Sequence, residues 1–255
     1  MVELHSARTV ERMRPAGAFV AEVLAELREG VRAGTNLLEI DELVRRRVEA
    51  RGAESCYVDY HPSFGASPFG HYICTSVNDA ALHGLPHDYT LVDGDLLTLD
   101  LAVAVDGWVA DSAVTFGIGG TSPEDARLVR ATEEALEAAI ATARPGRRMG
   151  DVSAAVAAVA ARFGYPVNGQ FGGHGVGRTM HQEPHVPNVG EPGTGMTLRP
   201  GLVIAIEPWF MSGTDELVVD PDGWTLRSVD GSRSAHSEHT VAVTRREPLV
   251  LTRPV

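Results

Sequence analysis

Asp100 and Asp111 stand on either side of an Asp106-Gly107 pair within DLLTLDLAVAVDGWVADSAVTFG, residues 95–117. Both arms are apolar and β-branched, and Asp-Gly between such arms signals a hairpin with a two-residue type I′ turn. That turn makes Val105 face Trp108, Asp111 face Ala102 and Asp100 pair with Ala113. Directly opposed residues share a face, as do residues two apart on one strand. The two carboxylates therefore point to one side as diagonal neighbours, roughly 7–8 Å apart at the backbone. Leu99, Leu101, Val103, Val105, Trp108, Val114 and Phe116 lie on the other side, the expected core face. Two acids held side by side repel, and a metal ion is the leading way to offset that repulsion.

Three further segments carry candidate groups. FGGHGVGRTMHQEPHVP holds His174 and His181, with glycines that let the backbone around His174 approach a ligand or another strand. GLVIAIEPWF reads as a strand whose last residue is Glu207, because Pro208 ends ladder pairing. SAHSEHTVAVT puts Glu238 at the start of a strand. Singly, each is ordinary: a polar turn histidine, a solvated strand-end glutamate, an edge aspartate. As a set, two Asp, one His and two Glu in or beside apolar strands are costly to bury unpaired. Oxygen-rich donors with one imidazole suit divalent Mn, Fe, Co or Zn. Five ligands, four of them anionic, exceed one ion's need and balance two. Two such ions about 3.5–4 Å apart make a hydrolytic centre. No H-E-x-x-H motif of a mononuclear zinc protease is present.

The elements that must hold these groups are legible in outline. Val10, Met13, Val20, Leu24, Leu27 and Val31 keep helical spacing from about Ser6 to Val31, and Gly34 follows as a stop. A second helix is capped by Asn36 with Glu39 three residues on, striped by Ile40, Leu43, Val44 and Val48, and stopped at Gly52. Residues 57–72 form a long Gly/Pro/aromatic loop, and Ile73–Val77 is a short strand leading into NDAALHGLP, which presents His83. Ser122-Pro123-Glu124-Asp125 opens a third helix to about Arg144, and an Ala-rich fourth spans about Met149–Phe163, ending at Gly164. Gly34, Leu37, Ile40, Val44 and Gly52 match Gly146, Met149, Val152, Val156 and Gly164 at a constant offset of 112. This echo predicts one α+β domain, 1–255, built from two related halves of about 1–120 and 121–255 around a shared site.

Composition bounds the partners. With 255 residues the chain can bury a large core, and a formal charge of −12 argues against nucleic-acid or anionic-membrane binding. The basic run 45–47 falls in a helical stretch and reads as a solvated face. Two cysteines, Cys56 and Cys74, make no disulfide framework. The N-terminal segment has no apolar signal region and no run reaches membrane-span length, so a cytoplasmic location is expected.

NDAALHG, LDLAVAVDGWVADSAVTF, GGHGVGRTMHQEPHVP, VIAIEPW and DGWTLRS…SEHTVAVT resemble, in order, the motif set of the methionine aminopeptidases. His174 and Glu207 lie only 33 residues apart, which is similar to the type I enzymes in their short form. The resemblance implies the pita-bread fold, an α+β arrangement of two pseudo-symmetric halves around a dinuclear centre of Co, Mn, Fe or Zn. It implies that Asp111 and Glu238 bridge the ions, that His174 and Glu207 complete one and Asp100 the other, and that Glu207 shuttles the proton of the attacking water. His181 would stabilise the carbonyl oxygen, His83 would hydrogen-bond the scissile amide, and Phe69, Cys74, Met180 and Trp224 would line a methionine pocket. The substrate's free amine would sit on the Asp100 side. The implied activity is removal of N-terminal methionine before a small second residue, with nascent polypeptide N-termini as partners, a monomeric chain, and ribosome docking left open.

Two departures touch the pocket: the loop over residues 59–72 is longer than in the short members, and Met180 stands where an aromatic residue is common. The rival readings are an Xaa-Pro aminopeptidase or dipeptidase of the same fold and a non-enzymatic peptide-binding relative. The former usually carries an extra N-terminal domain, whereas the first motif helix here begins near residue 1. The latter would be expected to lose ligands, and all five are present.

Overall fold

The structure, a computed structural model, describes residues 2–62 and 67–253. Residues 63–66 of the long loop expected at 57–72 lie outside the described residues.

Side-chain caps set the helices where the sequence puts them. Ser6 Oγ accepts from the Thr9 amide to start α1 (Ala7–Gly30). Asn36 and Glu39 form a capping box on α2 (Leu37–Arg51), and Gly52 ends it in the left-handed region at φ 66°. Ser122 caps α3 (Pro123–Thr142), with Pro123 in its first turn. α4 (Met149–Phe163) ends at Gly164, φ 75°. No helix among the described residues is long and apolar enough to cross a membrane.

The strands are β1 (Glu54–Ser55), β2 (Cys74–Val77), β3 (Ala80–Leu82), β4 (Leu96–Val105), β5 (Trp108–Gly117), β6 (Gly172–Gly175), β7 (Gln182–Pro187), β8 (Val203–Ile206), β9 (Trp209–Met211), β10 (Leu217–Val219), β11 (Leu226–Ser228), β12 (Ser234–His236), β13 (His239–Ala242) and β14 (Leu249–Val250). One sheet joins β1, β4 and β2 with β5 on β4, and a second runs β14-β13-β8-β6-β7. Smaller sheets pair β10-β11-β3 and β12-β9. All these pairings are antiparallel.

The echo at offset 112 has a structural counterpart. Gly34 donates to Leu91 O and Leu37 to Tyr89 O, while Leu91 donates to Thr35 O. In the second half Gly146 donates to Leu198 O, Met149 to Met196 O, and Leu198 to Arg147 O. The same clip therefore ties each fifteen-residue helix to the lead-in of its half's central strand, β4 or β8. Gly94 and Gly201, at φ 91° and 96°, then turn the chain into those strands.

Two apolar clusters back the sheets. One joins α1 and α2 to Leu97, Leu99, Leu101, Val103 and Phe116. The other joins α3 and α4 to Ile204, Ile206, Val241 and Val243. A third lies between the sheets and gathers Ala102, Ala104 and Val109 with Val203, Ala205 and Ala242. The hairpin is thus buried on both faces, not only on the predicted core face: its small residues leave room for the second sheet. Trp108 also departs from that expectation. It packs at the hairpin tip, edge-on to His5 and 3.8 Å beneath the Arg178 guanidinium.

Candidate metal centre

The hairpin has the predicted register. Val105 pairs with Trp108, Ala102 with Asp111 and Asp100 with Ala113. Asp106 and Gly107 take φ 52° and 69°, as a type I′ turn requires. A Cβ on Gly107 would also lie 2.6 Å from Arg178 Nη1, which donates to Gly107 O at 2.8 Å. Asp111 is fixed from across the sheets: its amide donates to Thr240 Oγ1 (2.9 Å), and Thr240 Oγ1 donates back to Asp111 O (2.7 Å). Tyr57 OH donates to Asp100 at 2.6 Å.

His174 sits on β6 between glycines because neighbouring strands crowd it. A Cβ at Gly173 would meet Ala205 O at 2.2 Å, and one at Gly175 would meet Glu183 O at 2.2 Å. Its Nδ1 donates to Gly175 O (3.1 Å), which leaves Nε2 as a lone-pair donor toward the centre. Glu207 follows the last residue of β8 and Glu238 precedes the first of β13, each one residue outside the strand expected to hold it. Pro208 ends the first ladder. Glu238 instead exchanges backbone hydrogen bonds with Ala113 (3.0 and 3.4 Å), which joins the two sheets.

The five predicted ligands converge. His174 Nε2 lies 3.7 Å from Asp111 Oδ2 and 3.8 Å from Glu207 Oε1. Asp111, His174 and Glu238 can each offer one donor atom within 4.8 Å of the others, and so can Asp100, His236 and Glu238. Burial raises Asp100 to about 6 and Glu207, with Asp100 close by, to about 8. Burial, then neighbouring carboxylates, raises Asp111 and Glu238 well above the ordinary range. Burial lowers His174 to about 3, so it is neutral. Glu238 Oε1 is buried without a hydrogen-bond partner among the described residues. Four repelling acids, an orphaned carboxylate oxygen and neutral imidazole nitrogens fit divalent cations, which would satisfy all three conditions at once.

A cavity of about 270 Å³ opens onto this cluster, and every predicted site residue lines it. His181 stands 4.3 Å from His174, ring to ring at 87°, and Tyr60 OH meets its Nδ1 at 2.7 Å. His83 follows β3 at φ 56°, held there because the chain at Gly84 lies tight on β2. Burial lowers His83 to about 4, and its Nδ1 is buried without a partner among the described residues. Phe69, Cys74, Met180 and Trp224 are buried on one wall, with Phe69 edge-on to Trp224 at 5.1 Å. Cys74 also pairs with Asp100 across β2 and β4.

Tyr57, Tyr60 and His236 are among the cavity residues that sequence reasoning missed. The tyrosines lie in the loop whose path no periodicity reveals. His236 was visible in SAHSEHTVAVT, but only the pairing of His236 with Trp209 carries it beside Glu207.

The sequence profile of metallopeptidase family M24 matches residues 11–245. A methionine aminopeptidase of Aquifex aeolicus is 42% identical over 98% of this chain and 98% of its own length. The crystal structure of a methionine aminopeptidase from Thermotoga maritima superposes with a TM-score of 0.94 at 36% identity, covering 99% of this chain and 100% of that one. A prolidase from Pyrococcus furiosus shares the fold at 20% identity and TM-score 0.75, with 66% of its length covered.

Proposed function

The chain belongs to metallopeptidase family M24, and from that premise we propose that it removes the N-terminal methionine from nascent polypeptides and peptides whose second residue is small. Its α+β fold is the pita-bread fold of that family. We read 1–255 as one catalytic unit with the active site between its related halves.

The observation that carries the reading is the convergence of Asp100, Asp111, His174, Glu207 and Glu238 at the floor of one cavity, beside an unpartnered Glu238 oxygen. In this reading Asp111 and Glu238 would serve both of two divalent ions, His174 and Glu207 would serve one of them, and Asp100 would serve the other. When bound, such a pair lowers the pKa of water and polarises a carbonyl. Glu207 takes the water's proton and passes it to the leaving amine. In the tautomer that accepts from Tyr60 at Nδ1, the neutral His181 ring carries its proton on Nε2, where it can meet the carbonyl oxygen as charge develops. His83 holds the scissile amide. A chain's free amine enters on the Asp100 side, and only a chain end offers one, which limits the enzyme to the first bond.

The side pocket favours methionine by its chemistry. Phe69 and Trp224 present ring edges and faces, and Met180 and Cys74 add polarizable sulfur, a wall suited to an unbranched thioether. Against the Xaa-Pro reading stands the relation to prolidases, which is one of fold alone at 20% identity.

A peptide panel on metal-free protein reloaded with Mn, Co, Fe or Zn tests the assignment. Met-Ala and Met-Gly starts should release methionine, and Lys or Xaa-Pro starts should be spared. Equal or better cleavage of Xaa-Pro peptides would transfer the enzyme to the rival class.

A further inference from the structure

His236 is the largest element of this site left without a role. Its ring is 2% exposed, and its Nε2 is buried with no hydrogen-bond partner among the described residues. That nitrogen lies 3.7 Å from Glu238 Oε2 and 3.9 Å from Glu207 Oε2. Both are beyond hydrogen-bond range. Both are short enough for one ion to hold each donor at about 2.0–2.2 Å after small side-chain movements.

The backbone supplies an independent reason for its aim. Thr240 Oγ1 accepts from the Asp111 amide at 2.9 Å and donates to Asp111 O at 2.7 Å. In the reverse sense Thr115 Oγ1 of the first half accepts from the His236 amide of the second at 2.9 Å and donates to His236 O at 2.7 Å. The two clamps are related about the mutual Ala113–Glu238 hydrogen bonds. His236 therefore occupies, in the second half, the place Asp111 occupies in the first. A residue so placed is directed at the shared centre, as Asp111 is.

We propose that His236 is itself a metal ligand, giving its Nε2 to the ion held by Asp100 and Glu238. Each ion would then have one imidazole of its own, His174 beside Glu207 on one and His236 beside Asp100 on the other, and the two would share Asp111 and Glu238. A nitrogen donor on the second ion raises its preference for Co and Zn over Mn. The inference rests on the two-ion reading, and its test separates the two.

Metal-free protein and His236→Gln are titrated with cobalt(II) by calorimetry, and the imidazoles around bound cobalt are counted by X-ray absorption. Wild type should take two ions with two imidazoles per pair. His236→Gln should keep one site within about threefold, weaken the other at least about 10-fold, and lose one imidazole. Unchanged affinities and an unchanged imidazole count would overturn the proposal and leave His236 as a wall residue, with the two-ion reading intact. Failure of wild type to bind cobalt would overturn both. Should His236→Gln fail to fold, the count decides alone. Two imidazoles in both wild type and His181→Ala support His236, and one in His181→Ala overturns it.

Discussion

The two halves of the molecule solve one problem by different means. In the first, Asp100 and Asp111 come from a single hairpin of ten residue pairs closed by a two-residue turn. In the second, Glu207 and Glu238 flank β8 and β13, which pair over four residues while residues 207–238 lie between them. The helix clips, the left-handed glycines 94 and 201 and the threonine clamps are shared. What differs is how register is specified: by a local turn in one half, and by a long-range pairing of β9 with β12 in the other. A one-residue slip in a strand exchanges its faces, so the first half depends on its turn and the second depends on its sheet.

Lengthening the two turns should expose this difference most sharply. One extra glycine after Gly107 turns the Asp111 side of β5 toward the α1–α2 core. Metal binding and methionine release should then be lost altogether, measured by calorimetry and a peptide assay. One extra glycine after Thr214, in the loop between β9 and β10, lies outside the β9–β12 ladder and should cost less than about tenfold in kcat/KM. Equal loss at both positions would remove the distinction.

The same distinction explains what could be read from the sequence. The hairpin register, both caps of α2 and the start of α3 depend on residues within a few positions of each other, and all stand as expected. The ends of β8 and β13 were displaced by one residue, because Glu238 leaves its strand to bond Ala113 in the other half. Burial of both hairpin faces was missed for a related reason. Ala102 and Ala104 look like weak strand residues until a second sheet is known to pack there. His236 needed two long-range facts, its partner Trp209 and its clamp Thr115, and no spacing in the chain encodes either. Tyr57 and Tyr60 meet Asp100 and His181 across 43 and 121 positions.

The threonine clamps provide a finer comparison. Thr240→Val and Thr115→Val each strip the partner from a buried amide, of Asp111 and His236 respectively, a loss of about 1–3 kcal/mol. Thr115 Oγ1 also meets Thr98 Oγ1 at 2.7 Å, whereas position 205, where the second half places Ala205, offers no hydroxyl. Thr115→Val should therefore be the more destabilising, by up to about 1 kcal/mol, in urea melts of the metal-free protein. Greater destabilisation by Thr240→Val would show that the clamps are not equivalent in energy.

The smallest effect concerns Asp100, within β4, and Glu207, just past β8, which lie equally far beyond Gly94 and Gly201 but hold protons differently. Burial raises both, yet the Tyr57 hydroxyl bonds Asp100 and keeps it near 6, while Glu207 rises to about 8. Their ordinary values are 3.8 and 4.5. In metal-free protein the folded state thus retains protons that the unfolded chain has released. That stabilisation is complete below about 4 and is lost as pH rises, first through 6 and then through 8. Bound cations replace those protons and become harder to displace as pH rises. The gap in Tm between manganese-loaded and chelator-treated protein should therefore widen from pH 5 to 8.5, each 1 kcal/mol moving Tm by roughly 2–4 °C. Tyr57→Phe removes the hydrogen bond that holds Asp100 down, so Asp100 should titrate closer to Glu207 and the first step should move up in pH. A gap that stays flat with pH would mean that these carboxyls carry no shared charge burden, and the two halves would then differ only in how their strands are joined.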